Sequence, residues 1–150
     1  MEGAGIAVSA MPALDRVLET ILYVDDLEAA ERFYGGPLGL TLDSRKPGVF
    51  AFFRVGDGML LLFDPRASRR SRGVPAHGAE GPGHACVAVA EAELDGWKRR
   101  LEAAGVAIEH EQGWPRGGRS FYFRDPAGNS LELATPRIWG MPDVGAEEEP

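Results

Sequence analysis

The chain has 150 residues, 44% of them hydrophobic and 26% charged, with a formal net charge of −7. That length suits one domain, or two small halves sharing a core, and the composition excludes disordered, fibrous and disulfide-stapled classes. No apolar run approaches the length of a membrane span, and the opening residues lack the basic and apolar segments of a secretory signal. Cys86 is the only cysteine, so no internal disulfide forms. The expectation is a cytoplasmic protein in which Cys86 is a buried small hydrophobe.

The acidic balance carries little information, because Asp143, Glu147, Glu148 and Glu149 fall in a tail without Lys or Arg and supply four of the seven net charges. The one cationic cluster, Arg66, Arg69, Arg70 and Arg72, lies among Ser, Gly and Pro with no interleaved aromatic residue. It reads as a solvated linker, so neither nucleic acid nor a membrane is expected as a partner.

Residues 1–16 carry little pattern and are expected to form a loose N-terminal arm. Leu18–Val24 reads as a strand, and Asp25 with Glu28 three residues later resembles a capping box. Leu27, Ala30, Phe33 and Tyr34 then recur at helical spacing until Gly35-Gly36-Pro37 stops the helix. Three extended segments follow, Leu40–Leu42, Val49–Val55 and Met59–Phe63, divided by Lys46-Pro47-Gly48 and Gly56-Asp57-Gly58. A linker occupies about residues 66–82. After it His84–Val89 reads as a strand, Leu94, Trp97 and Leu101 as the buried face of a helix closed by Gly105, and Val106–Ile108, Ser120–Phe123 and Ser130–Ala134 as strands.

The second half therefore repeats the β, α, β, β, β order of the first. Glu19 and His84 are 65 residues apart, as are Val24 and Val89. Phe53-Arg54 lies 70 residues before Phe123-Arg124, and Pro65 lies 71 before Pro136, a slow drift expected of two equal modules that differ by a residue per loop. One small curved sheet with one helix cannot bury its own faces, so two modules are needed. The fold expected is α+β: two tandem βαβββ modules (about 17–65 and 83–136, one domain over 17–136) forming a curved, mostly antiparallel sheet around a concave pocket, helices outside. Residues 137–150 are a tail.

Tyr23-Val24-Asp25-Asp26-Leu27 after the first strand, Phe33-Tyr34 on the first helix, and Phe123-Arg124-Asp125-Pro126-Ala127-Gly128-Asn129-Ser130-Leu131-Glu132-Leu133 near the end resemble the vicinal oxygen chelate superfamily. That superfamily includes glyoxalase I, extradiol dioxygenases, methylmalonyl-CoA epimerase, and fosfomycin- and bleomycin-resistance proteins. The resemblance spans about residues 17–136 and is specific for fold but silent about reaction. It places metal ligands on the first and fourth strands of each module, at positions that here carry Glu19, Leu61, His84 and Glu132. Leu61 cannot ligate, which leaves Glu19, His84 and Glu132. Strand alternation supports this set independently, since each of the two carboxylates lies opposite an apolar face that wants the helices.

Two carboxylates and one imidazole would neutralise a divalent ion and suit Mn, Fe, Ni or Mg at least as well as Zn. Such an ion favours a Lewis-acid role that holds two adjacent substrate oxygens. Glu19 in place of the family's frequent His, together with Leu61, departs from the patterns of glyoxalase I and the extradiol dioxygenases. The resemblance implies a metal-dependent enzyme of lyase, isomerase, ring-cleavage or transferase type acting on a small molecule, as a homodimer. The competing reading is a metal-free binding protein that sequesters a hydrophobic or antibiotic ligand, with Leu61, Phe63, Trp114 and Tyr122 lining the cleft. Tyr23, on the face of Glu19, is a further substrate-binding candidate. Glu132 and His77 are the candidates for acid or base work. His110 reads as an exposed strand end, and Trp114 either stacks on ligand or packs against the Trp139 segment. Arg54 and Arg124 read as structural twins.

Overall fold

The computed structural model describes residues 11–70 and 73–146. Residues 1–10 of the expected arm, Arg72, and the acidic Glu147, Glu148 and Glu149 lie outside the described residues. The chain runs β1 (Glu19–Tyr23), α1 (Leu27–Gly35), β2 (Thr41–Lys46), β3 (Phe50–Val55), β4 (Gly58–Phe63), α2 (Pro65–Ser68), β5 (His84–Ala88), α3 (Leu94–Ala103), β6 (His110–Gly113), β7 (Arg119–Arg124) and β8 (Ser130–Ala134). Two mixed four-stranded sheets result, ordered β1-β4-β3-β2 and β5-β8-β7-β6, and this is the α+β tandem-module fold. Each sheet has one parallel pair, β1 with β4 and β5 with β8, because the helix carries the chain back across the sheet before the remaining strands fold as hairpins.

Local chemistry explains the elements. Asp26, not Asp25, caps α1: its side chain accepts from the Ala29 amide at 3.0 Å. Ala30 and Tyr34 are the buried residues of that helix. The β2–β3 turn runs through Pro47 and Gly48, with Gly48 at φ +77 and Val49 N donating to Lys46 O at 3.0 Å. Pro and Gly are the residues a type II turn demands at its two central positions.

Alternation puts Leu22 of β1, Val24 just after it, Phe53 of β3 and Leu62 of β4 into the core, where Phe121, Phe123, Leu131 and Leu133 of the second sheet meet them. The two modules thus share one core. The helices meet there too, and Arg100 of α3 reaches the carbonyls of Pro37 and Gly36 at the end of α1. No helix among the described residues is long and apolar enough to cross a membrane.

Two expectations need correction. Val106–Ile108 is not a strand. Val106 and Ile108 are packed against the core, but the Val106 amide is taken by Leu101 O at the end of α3, and the ladder to β7 opens only at Glu109 N, which donates to Tyr122 O at 2.8 Å. The linker is also not featureless, since Asp64 caps α2 by accepting from Arg66 N at 2.9 Å and Pro65 occupies its first turn.

Candidate functional site

The polar half of the site lies on the second sheet. Register sets Glu132 between Cys86 of β5 and Tyr122 of β7, on the central strand β8. That position buries Glu132 to 6% exposure. His84 opens β5 opposite Ser130, and its Nε2 lies 3.3 Å from Glu132 Oε1. Its Nδ1 is 2.9 Å from Ser130 O. A carbonyl only accepts, so Nδ1 carries the proton of that bond and Nε2 is the nitrogen turned toward the carboxylate.

Glu132 Oε2 is buried and has no hydrogen-bond partner among the described residues. An unpaired buried acceptor costs about 1–3 kcal/mol and more when charged, so the residue is not there for stability alone. A buried carboxylate whose Oε1 lies 3.3 Å from an imidazole Nε2 offers two donors of the kind a divalent cation takes. The charge also acts on its neighbours. Loss of solvation and then the adjacent Glu132 carboxylate, as acceptor and as charge, raise the Tyr122 phenol above its ordinary value. Cys86 still meets solvent along its open side, yet its crowded surroundings, followed by Glu132, push its thiol up to about 12.

A separate aromatic face lies on the first sheet. Tyr23 pairs with Phe63, and Ile21 with Leu61, across the parallel ladder. His77 folds over this face from the linker: Nδ1 is 2.7 Å from the Tyr23 hydroxyl, the ring stands edge-on to Phe63 at 4.7 Å, and its amide donates to Ser68 O. Phe50 and Phe52 stack at 4.0 Å beside them. Leu61 is 7% exposed and forms part of the apolar floor.

Glu19 is exposed at the head of β1, opposite Met59. It lines a cavity of about 620 Å³ between the modules that Glu132 also borders, together with apolar residues such as Leu60, Val89, Trp97 and Phe123. None of the residues expected to line a sequestering cleft, Leu61, Phe63, Trp114 or Tyr122, borders this cavity. Among the described residues no three His, Cys, Asp or Glu side chains converge as a metal-binding group. The chain thus brings His84 and Glu132 together and leaves Glu19 outside that pair.

Trp114 is half-buried and donates through Nε1 to Ser120 Oγ at 2.9 Å. Trp139 is 65% exposed. His110, the first residue of β6, lies 5.9 Å from the Tyr122 ring and bonds Gln112 through Nε2. Arg54 and Arg124 act alike: each holds an acid near the neighbouring strand, Asp43 at 2.8 Å and Glu109 at 2.8 Å.

Sequence reasoning missed Cys86, expected in the core but exposed on the face of His84. The signal was available, since residues 84 and 86 share strand parity. It also missed Asn129, whose only sign was its place in the Asp-Pro-x-Gly-Asn turn.

A family model described as the glyoxalase/bleomycin resistance protein/dioxygenase superfamily matches residues 13–133. The glutathione transferase FosA of Serratia marcescens is 36% identical over 115 residues, covering 75% of this chain and 74% of that protein. A crystal structure of lactoylglutathione lyase from Agrobacterium tumefaciens superposes with a TM-score of 0.84 at 46% identity, over 87% of this chain and 100% of that one. A glyoxalase/bleomycin resistance protein/dioxygenase from Nocardioides superposes with a TM-score of 0.69 at 31% identity, over 89% of this chain and 91% of the other. With its doubled module, its His84–Glu132 pair and these likenesses, the chain belongs to the glyoxalase/bleomycin resistance protein/dioxygenase superfamily.

Proposed function

We propose that this protein is a metal-dependent, glutathione-linked lyase or transferase acting on a small molecule with two adjacent oxygens. The observation that carries the reading is the free, buried Oε2 of Glu132 beside His84. The names of two relatives, one 46% and one 36% identical, both join glutathione to lyase or transferase chemistry. His84 and Glu132 would hold the ion from one chain, and Glu19 would complete the set from the second chain of a homodimer. Three things support that split: Glu19 is exposed, it does not join His84 and Glu132 within the chain, and its neighbours Val17 and Leu18 are 80% and 61% exposed, as apolar residues covered by a partner would be in the isolated chain.

A bound divalent ion would supply Lewis-acid stabilisation of developing negative charge on a substrate oxygen. Glu132, buried beside His84, would be the group placed to take or return a proton in the site. Tyr23, Phe63 and the His77 ring offer an apolar wall for the rest of the substrate, and Trp114 and Tyr122 border the polar half.

Metal analysis of protein purified without chelator should find about one divalent ion per chain, lost in His84→Ala and in Glu132→Ala. The split is tested by mixing Glu19→Ala with His84→Ala protein after partial unfolding and refolding. A site shared between chains regains one of two intact sets per mixed dimer and, since about half of randomly reassociated dimers are mixed, about a quarter of the wild-type metal; a site within one chain regains none. Absence of any metal in the wild type, with no thermal shift on adding Mn²⁺, Fe²⁺, Ni²⁺ or Zn²⁺, would sink the enzyme reading. It would favour the second one, a metal-free binding protein, which the 620 Å³ apolar cavity supports because its size suits a small ligand.

A further inference from the structure

The turn into β8, Asp125-Pro126-Ala127-Gly128-Asn129, is the stretch of sequence that marks the superfamily most strongly, yet Asp125 and Asn129 are only 4% and 1% exposed. Every hydrogen-bonding group of the Asn129 side chain is engaged, and one of the bonds bears on His84. Oδ1 accepts from the amide of Gly83, the residue before His84, at 2.7 Å. Nδ2 donates to Tyr23 O at 3.0 Å and to Asp125 Oδ2 at 2.9 Å. The next residue, Ser130, donates its amide to Gly83 O at 2.9 Å and accepts from His84 Nδ1 at 2.9 Å. Gly83-His84 and Asn129-Ser130 are therefore joined by three bonds within two residues of chain.

Asn129 is itself held. Asp125 Oδ1 accepts from the Asn129 amide at 2.8 Å, and Asp125 Oδ2 accepts from the Tyr34 hydroxyl of α1 at 2.7 Å. Through Tyr23 O and Tyr34 the same network ties the first module, with its aromatic wall, to the start of β5.

We propose that Asn129 is the positioning residue of the His84–Glu132 pair: it fixes the Gly83–His84 backbone so that the imidazole keeps its proton on Nδ1 and presents Nε2 toward Glu132. The consequence for metal binding rests on the reading of that pair as ligands, whereas the tautomer does not. A buried asparagine that merely stabilised the turn would affect melting temperature alone. One that orients a ligand affects affinity as well, and loss of such an outer partner typically weakens metal binding by about 10- to 100-fold.

The test compares Asn129→Ala with Tyr34→Phe, which loosens the network from its far end and leaves the Asn129 bonds to Gly83 and Tyr23 in place. Nitrogen-15 NMR of the imidazole in chelator, at a pH where the ring is neutral, should show the Nδ1-protonated tautomer of His84 in wild type and in Tyr34→Phe, and a mixture in Asn129→Ala. Calorimetric titration with Mn²⁺ or Co²⁺ should give a tenfold or larger loss of affinity in Asn129→Ala and less than threefold in Tyr34→Phe. Asn129→Ser, which keeps a small polar group in the same space, replaces the alanine variant if that one does not fold. The proposal is overturned if the Asn129 variant keeps the wild-type tautomer, or if both variants lose affinity only in step with melting temperature. Wild type that binds neither ion defeats the metal reading, and the NMR comparison then decides the role of Asn129 by itself.

Discussion

Replacing Glu132 by Leu should make the metal-free protein more stable while abolishing its response to metal. The carboxylate lies on a central strand at 6% exposure with Oε2 unpartnered among the described residues, and its Oε1 lies 3.3 Å from the half-exposed His84 imidazole. Desolvation of an unpaired acceptor costs about 1–3 kcal/mol. The His84 contact returns at most about 1 kcal/mol, because the side chain of His84 is 48% exposed and solvent screens the pair. Leucine is close in size, so the cavity cost is small, and a well-packed apolar group in place of a buried charge is often stabilising. A gain of about 1–2 kcal/mol corresponds to a rise of roughly 2–8 °C in melting temperature for a chain of this length. Saturating metal at a hundred times Kd adds about 2.7 kcal/mol to wild type and nothing to the variant, so the order of stability reverses between chelator and metal. Thermal melts of both proteins under the two conditions measure this. A variant that melts below wild type in chelator, or that still gains stability from metal, refutes the reasoning.

Other expectations follow from the same structure. Cys86 should react slowly with iodoacetamide at pH 8 despite its exposure. A thiol raised to about 12 loses roughly a thousandfold in thiolate fraction against an ordinary one and regains roughly 25-fold in intrinsic nucleophilicity, for a net slowing of roughly fortyfold. Glu132→Gln should speed the reaction, and an unchanged rate would remove Glu132 as a cause. Asp64→Ala should cost about 1 kcal/mol by removing the cap of α2. The Arg66 guanidinium holds the Asp64 carboxyl below its usual range, so its contribution is present above the ordinary carboxylate value and is lost as pH falls through the lower folded value. The variant should therefore show a shallower acid limb in pH-dependent melts, and parallel limbs would count against it. Leu101→Ala, at a position with no exposure, should cost about 2–5 kcal/mol in urea unfolding; a loss under 1 kcal/mol would mean that the shared core is not as described.

The fold was legible because the period of the sequence carried it. Alternation in β3 and β5 and helical spacing in α1 and α3 report burial directly, and the repeat of one module by the other guarded against chance. Where reading failed, hydrogen bonding had overruled hydrophobicity. Val106 and Ile108 look like a strand and are packed inward like one, but the end of α3 claims the Val106 amide. Cys86 looks like core because cysteine usually is, but its parity puts it beside His84. Asp26 caps α1 in place of Asp25, a difference of one residue that two adjacent aspartates cannot reveal.

The candidate site was legible residue by residue but not as an assembly. Each strand position predicts a face, and the structure sets Glu132, Cys86 and Tyr122 side by side across three strands. Whether two faces meet depends on how modules pack, which no strand pattern encodes. Here the apolar faces of both sheets turn inward to one core, joined by Tyr34 to Asp125 and by Asn129 to Tyr23 O. Those buried contacts fix how the modules pack, and so bring Glu19 and Glu132 to one cavity while only His84 pairs with Glu132. In the proposed dimer, the exposed Leu14, Val17 and Leu18 on the approach to β1 would be covered by the second chain.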